Sequence, residues 1–283
     1  MPREVISLHI GQAGSLIGFE FWNNILQEHL INPQGELFSN SYTDPFYLSS
    51  FFKQKSQGKY VPRSIFCDLD STAINFVKSS SIGSVFDPSS LITGSGSTND
   101  DYLGVFEKDG KKILSTLSEK LRVLIEECDS FDSIIITRSL TGGTGSGLTS
   151  FLLDEINSKF SNKKPILLYS CFGSFLSSEY VKQSSKSILN FALALGRDHP
   201  HQYDFLIDTQ FVQETFEKLH SSNLSNLSSL PNSQIAYSLA VLTSQMRFPS
   251  ENSFTISKIC SLCSFPFISG SCSDFSQKIL SPI

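Results

Sequence analysis

The chain has 283 residues, 40% apolar and 12% aromatic, which are the proportions of a folded globular protein and not of a disordered one. Its 22 basic and 27 acidic residues leave a net charge of −5 with no basic stripe, which argues against a nucleic-acid partner. No apolar run reaches the length of a membrane span and no charged-then-apolar leader opens the chain, so a cytosolic protein is expected.

Val5 to Ile10 reads as a short strand ending at Gly11, after which Ile17, Phe21 and Ile25 recur at helical spacing to about His29. Asn32 to Gln57 carries Pro33, Gly35 and Pro45 with little periodicity and is expected to be a long surface excursion. Ser64 to Cys67 is the next strand and stops at Asp68. Gly94 to Asn99 reads as a flexible loop, and Gly110 to Cys128 returns to helical spacing through Ile113, Leu117, Leu121 and Leu124. Ile134 to Ile136 is a strand and Leu148 to Phe160 a helix. Pro165 to Phe172 and Asp204 to Ile207 are further strands, with a helix between them near Ser187 to Leu195. A serine- and asparagine-rich stretch, Leu219 to Leu230, precedes a helix from Ser233 to Met246 and a serine- and phenylalanine-rich tail. Strands alternating with helices of ten or more residues point to an α/β fold with a parallel sheet. Ligands of such sheets lie beyond the carboxyl ends of the strands.

Six cysteines are scattered without a disulfide framework, and Cys260-x-x-Cys263 lacks the second pair that a zinc site needs, so ordinary thiols are expected. His199 and His201 flank Pro200 in a polar turn, which suits a solvated loop better than a catalytic base.

The chemistry concentrates in Thr141-Gly142-Gly143-Thr144-Gly145-Ser146-Gly147, between an apolar strand and a helix. Four glycines in six residues let the backbone approach a ligand and direct N–H groups at it, and an anion is the natural occupant. No Gly-Lys-Ser/Thr follows, so this is not a Walker loop. Leu148 stands where the last glycine of a dinucleotide fingerprint belongs, which argues against a nicotinamide-dependent oxidoreductase. A glycine-rich turn that merely permits tight strand–helix packing is the plain alternative.

The spelling Gly-Gly-Thr-Gly-Ser-Gly resembles the signature loop of the tubulin superfamily. Gly11-Gln12-Ala13-Gly14, Tyr60-Val61-Pro62-Arg63 with Asp68-Leu69-Asp70, and Arg247-Phe248-Pro249 resemble other family segments in the same order. Pro2 and the block Phe19-Glu20-Phe21-Trp22 are most similar to γ-tubulin, whereas Ala13 stands where γ chains usually carry Cys and α chains do not. The resemblance implies a Rossmann-like GTP-binding domain over residues 1–230, followed by a central helix and the truncated start of an intermediate domain over 231–283. It implies GTP held by Gly11, Gln12, Ala13 and Thr141 to Gly147, with hydroxyl donors at Thr144 and Ser146. It also implies Mg²⁺ at Asp68, ribose contact by Glu179 with Gln183 downstream, and Thr209 on the base side.

Departures from the family pattern gather at the ligand's two ends. Ser15 and Leu16 replace an Asn-Gln pair, Asp70 a Glu and Ser71 a Pro. The run Gly96 to Tyr102 puts two carboxylates, Asp100 and Asp101, where the family has neutral residues. Thr209 and Ala236 occupy the places of base-reading Asn residues, and Asn232 that of the stacking aromatic. Ser250 to Ser253 offers no match to the family's catalytic acid, so binding with little or no turnover is expected. By resemblance the role is nucleation or anchoring of microtubules at an organising centre, with α/β-tubulin and γ-tubulin complex proteins as partners. The alternative is an interaction protein of tubulin fold that has lost the nucleotide. Phe265, Phe267 and Phe275 of the short tail are then candidates for partner contact or self-association.

Overall fold

The computed structural model describes residues 3–38, 48–55, 58–94, 96, 101–159, 164–172, 194, 202–209, 212 and 230–247. Its strands are β1 (Glu4–Ile10), β2 (Phe52–Gln54), β3 (Tyr60–Pro62), β4 (Ser64–Asp68), β5 (Leu91–Thr93), β6 (Phe131–Ser139), β7 (Ile166–Phe172) and β8 (Gln202–Asp208). The helices are α1 (Gly11–Glu28), α2 (Ser71–Ser79), α3 (Gly110–Glu126), α4 (Thr149–Lys159) and α5 (Leu230–Arg247). Two π-helical turns, Val105–Asp109 and Thr144–Leu148, lead into α3 and α4.

Six strands form one parallel sheet in the order β5-β4-β1-β6-β7-β8, and β2 pairs with β3 in an antiparallel hairpin. All seven residues of β1 are buried, because helices cover both faces and a central parallel strand meets apolar neighbours on either side. Side chains alternate between two cores, as a period of two requires. Val5, Ile135 and Leu167 face α1, α2 and α5 through Phe21, Ile25, Val77 and Leu239. Ile6, Leu8, Ile134, Ile136 and Leu168 face α3 and α4 through Leu117, Leu121, Leu152 and Ile156.

The α/β expectation holds, and one local expectation changes. The stretch from Asn32 to Gln57 is not wholly on the surface: Leu48, Phe51 and Phe52 are buried, the two phenylalanines against Trp22 of α1, and Phe52 begins the hairpin opposite Pro62. Helix α2 and edge strand β5 were not read from the sequence. The signal for α2 was Asp70, whose carboxylate accepts from the Thr72 N–H at 2.9 Å and caps the helix. The helix expected near 187–195, the serine-rich stretch, the Cys260–Cys263 pair and the phenylalanine tail lie outside the described residues, apart from Ala194 and Leu230. Among the described residues no helix is long and apolar enough to cross a membrane, and no cluster of three metal-ligating side chains occurs.

Helix α5 is tied to α1 by Arg247, which is fully buried. Its guanidinium donates to Glu28 Oε2 at 2.6 Å, to Thr243 Oγ1 at 2.6 Å and to Ala240 O at 2.8 Å, and lies 5.7 Å from the centre of the Phe51 ring. Glu28→Gln removes the partner's charge and leaves the cation buried. Hydrogen bonds to charged groups contribute about 1.5–3 kcal/mol each, so a loss of about 2 kcal/mol in urea unfolding is expected. A loss below about 0.5 kcal/mol, the level of an ordinary surface change, would show that the pair does not hold α5.

Candidate nucleotide site

The order of the strands reverses between β1 and β6, the place where open α/β sheets bind ligands. Both glycine loops start there. Gly11 follows β1 at φ +75°, a left-handed conformation that glycine adopts without strain. A Cβ at Gly11 would sit 3.0 Å from the Gly145 N, and one at Gly145 would sit 2.7 Å from the Ser139 O. The two loops therefore meet backbone to backbone. Gly14 is equally confined, its missing Cβ falling 2.4 Å from the Thr137 O. Packing alone thus requires several of these glycines, and the same absence of side chains lets a ligand reach the loop N–H groups.

The π-helical turn at Thr144–Leu148 begins inside the glycine loop, earlier than the helix expected from Leu148. The first N–H groups of a helix have no intrahelical acceptor and favour an anion. That of Ser146 bonds the Gly142 O at 3.1 Å. The three loop hydroxyls are engaged within the protein: Ser146 Oγ donates to the Gly142 O, the Thr144 side chain bonds the Asp68 carboxylate, and Thr141 Oγ1 lies 3.1 Å from Ser139 Oγ. The donors that this geometry directs at a ligand are therefore mainly backbone groups.

Asp68 ends β4, next to β1 in the sheet. It is buried, accepts from the Asp70 N–H at 3.3 Å, and burial raises its pKa to about 6. A carboxylate held in so dry a place gains from a cation nearby, and carboxylate and water oxygens suit Mg²⁺. Asp70 is exposed and spent on the α2 cap.

Gln12 is exposed and Ala13 half-buried against the α1 core. Ser15 Oγ, fully buried in the first turn of α1, has no partner among the described residues. At the positions that the resemblance assigns to the base side, the Thr209 hydroxyl donates to the Phe172 O at 3.1 Å, Ala236 is fully buried among apolar neighbours, and Asn232 is half-buried. The structure brings together Gly11 to Gly14, Asp68 and Thr141 to Gly147. Glu179, Gln183 and Asp100 lie outside the described residues. Sequence reasoning missed Arg138, a charged residue closing the apolar run of β6 just before the loop.

A model of the "Tubulin/FtsZ family, GTPase domain" matches residues 4–195, more than half of the chain. The chain belongs to this family. It is 30% identical over 246 residues to the tubulin alpha-2 chain of Caenorhabditis elegans, which covers 87% of this chain and 54% of the relative. It is 31% identical over 247 residues to the tubulin alpha chain of Encephalitozoon cuniculi, with the same coverage. The nucleomorph tubulin alpha chain of Guillardia theta is 36% identical over 167 residues, 58% of this chain and 37% of the relative. This tubulin-family chain thus spans about half the length of the curated relatives it matches. These relatives are α chains, and none of them supports the γ-type resemblance in particular.

The residues present fit the phosphate end of a guanine nucleotide. The cradle between Gly11 and Gly145 is one that any Cβ would fill, and the buried Asp68 carboxylate stands beside it. The base end fits less well, since the Thr209 hydroxyl is bonded to the backbone and Ala236 offers no polar group.

Proposed function

We propose that this chain binds GTP with Mg²⁺ as the nucleotide-binding part of a tubulin-like cytoskeletal protein. The observation that carries the reading is the contact of two glycine loops, backbone to backbone, at the reversal point of the sheet. Gly11, Gln12, Ala13 and Thr141 to Gly147 hold the phosphates; Asp68 holds the hydrated Mg²⁺, which neutralises phosphate charge. Glu179 and Thr209 serve the ribose and base sides. The chain's own residues bind and orient the ligand, and turnover is slight.

The finer role is nucleating or anchoring microtubules at an organising centre, with α/β-tubulin and γ-tubulin complex proteins as partners. Pro2 and Phe19 to Trp22 support it, while Ala13 and the α-chain relatives support a tubulin-like protein without favouring the γ type. A second reading, a tubulin-fold interaction protein without nucleotide, is favoured by the engaged Thr209 hydroxyl and the buried Ala236.

Acid release from the purified protein followed by chromatography separates the two. Guanine nucleotide near one per chain is expected. In protein stripped of ligand, GTP at 100 times its Kd adds about 2.7 kcal/mol to stability and raises Tm. A well-folded chain that carries no nucleotide and whose Tm ignores GTP would overturn the binding reading in favour of the second.

A further inference from the structure

The glycine loop has no lysine, yet a buried cation lies beneath it. Arg138 ends the apolar part of β6 and is fully buried. Its Cα lies 3.4 Å from where a Cβ on Gly14 would sit, and the next residue, Ser139, presses on Gly145. Its backbone therefore underlies both glycine loops.

The guanidinium reaches across the sheet. Nε donates to Ser170 Oγ on β7 at 2.9 Å and Nη2 to Asp204 Oδ1 on β8 at 3.2 Å, while Nη1 has no partner among the described residues. The pair is lopsided. The cation is wholly removed from water, whereas the Asp204 side chain is 25% exposed and also accepts from Ser170 Oγ and from the Gln202 amide at 2.7 Å. Asp204 pairs in register with Leu168, and Leu168 with Ile136, two residues back from Arg138. The Asp204 Cα thus lies two residues farther from the strand ends where the loops start than the Arg138 Cα does, with the two charged groups 3.2 Å apart between them. A desolvated charge acts through a low dielectric and keeps its reach better than a surface lysine does.

We infer that Arg138 is a positioning residue for anions: it supplies, from beneath the loops and without touching the ligand, the positive charge that the glycine loop lacks. The inference rests on the nucleotide-binding reading and adds a specific property, an affinity that climbs with each phosphate. Asp204 moderates that charge.

The test is a ladder of Kd values for GTP, GDP and GMP on the wild type, Arg138→Lys, Arg138→Gln and Asp204→Asn. Arg138→Gln is expected to lose roughly tenfold for GTP, less for GDP and least for GMP, as a Coulomb term scaling with ligand charge requires. Arg138→Lys keeps most of the gradient. Asp204→Asn, which releases the cation from its partner, tightens GTP most and GMP least, a gain that a purely structural pair does not give. Should Arg138→Gln fail to fold, Asp204→Asn still decides, because its ladder steepens only if the Arg138 charge acts on the phosphates. Equal losses along the ladder, or an Asp204→Asn ladder identical to the wild type, would overturn the inference while leaving nucleotide binding intact. Wild-type protein that binds none of the three sinks the nucleotide reading first, and this inference with it.

Discussion

Gly145→Ala is expected to weaken GTP binding by at least a hundredfold while the sheet stays folded. The added Cβ would sit 2.7 Å from the Ser139 O and 2.9 Å from the Ser139 N, both backbone atoms of a strand paired with β7. Nothing there is the loose end of a side chain, so the loop itself must shift. Each charge-assisted hydrogen bond to a phosphate contributes about 1.5–3 kcal/mol, and losing two gives two to four orders of magnitude in affinity. The cost to folding is smaller, about 1–3 kcal/mol for an overpacked methyl. Lys78→Ala is the control, an exposed position in the last turn of α2, at the end of that helix away from Asp68. Titration of both variants with labelled GTP, alongside thermal unfolding, checks the expectation. An unchanged Kd for Gly145→Ala in folded protein would mean that the ligand does not use this loop.

What the sequence disclosed followed from how few residue types suit a given place. Two loops in backbone contact tolerate hardly anything but glycine, so Gly11, Gly14, Gly145 and Gly147 stood out. Strands covered on both faces are mostly apolar, so the apolar runs within β1, β6 and β7 make these strands legible. Phe51 and Phe52 were hidden because their burial depends on Trp22 in α1, not on their own neighbours among prolines and glycines. The hydroxyls of Thr144 and Ser146, expected as phosphate donors, are engaged by Asp68, far off in the chain, and by the Gly142 O, which Ser146 reaches where the loop coils into the π-helical turn. Arg138 and Asp204 are 66 positions apart, and only the parallel register of β6, β7 and β8 brings them together. Periodicity reports what is buried; it does not report which buried polar groups meet.

Acidification from pH 7 to 5 is expected to cost about 2 kcal/mol of stability, and two histidines set the sign. His9 is fully buried, and Trp22 Nε1–H donates to its Nε2 at 3.1 Å. Its Nδ1 lies 2.7 Å from Thr137 Oγ1, whose own proton goes to the Gly14 O at 2.9 Å. The network therefore assigns Nδ1–H and a neutral ring, and a second proton on Nε2 would face the indole N–H. Burial lowers the His9 pKa to about 3; burial and then the Arg247 charge lower that of His29 to about 4. A base depressed on folding leaves the unfolded chain binding more protons, so stability is full above about pH 6.5 and falls below it. At about 1.4 kcal/mol per unit, the two sites lose about 3–4 kcal/mol by pH 5. Asp68 works against them, since burial raises its folded pKa to about 6 and protonation relieves it, returning about 1.3 kcal/mol over the same interval. Glu20, raised by burial, acts in the same direction as Asp68; Asp87, held at about 2 by Ser89, Lys55 and Lys120, enters only below about pH 4. Trp22 is the only tryptophan in the chain and touches His9, so urea unfolding followed by its fluorescence at pH 7, 6 and 5 reads the effect directly. A stability that rose from pH 7 to 5 would show that folding does not hold His9 and His29 neutral, against the hydrogen-bond network assigned to His9.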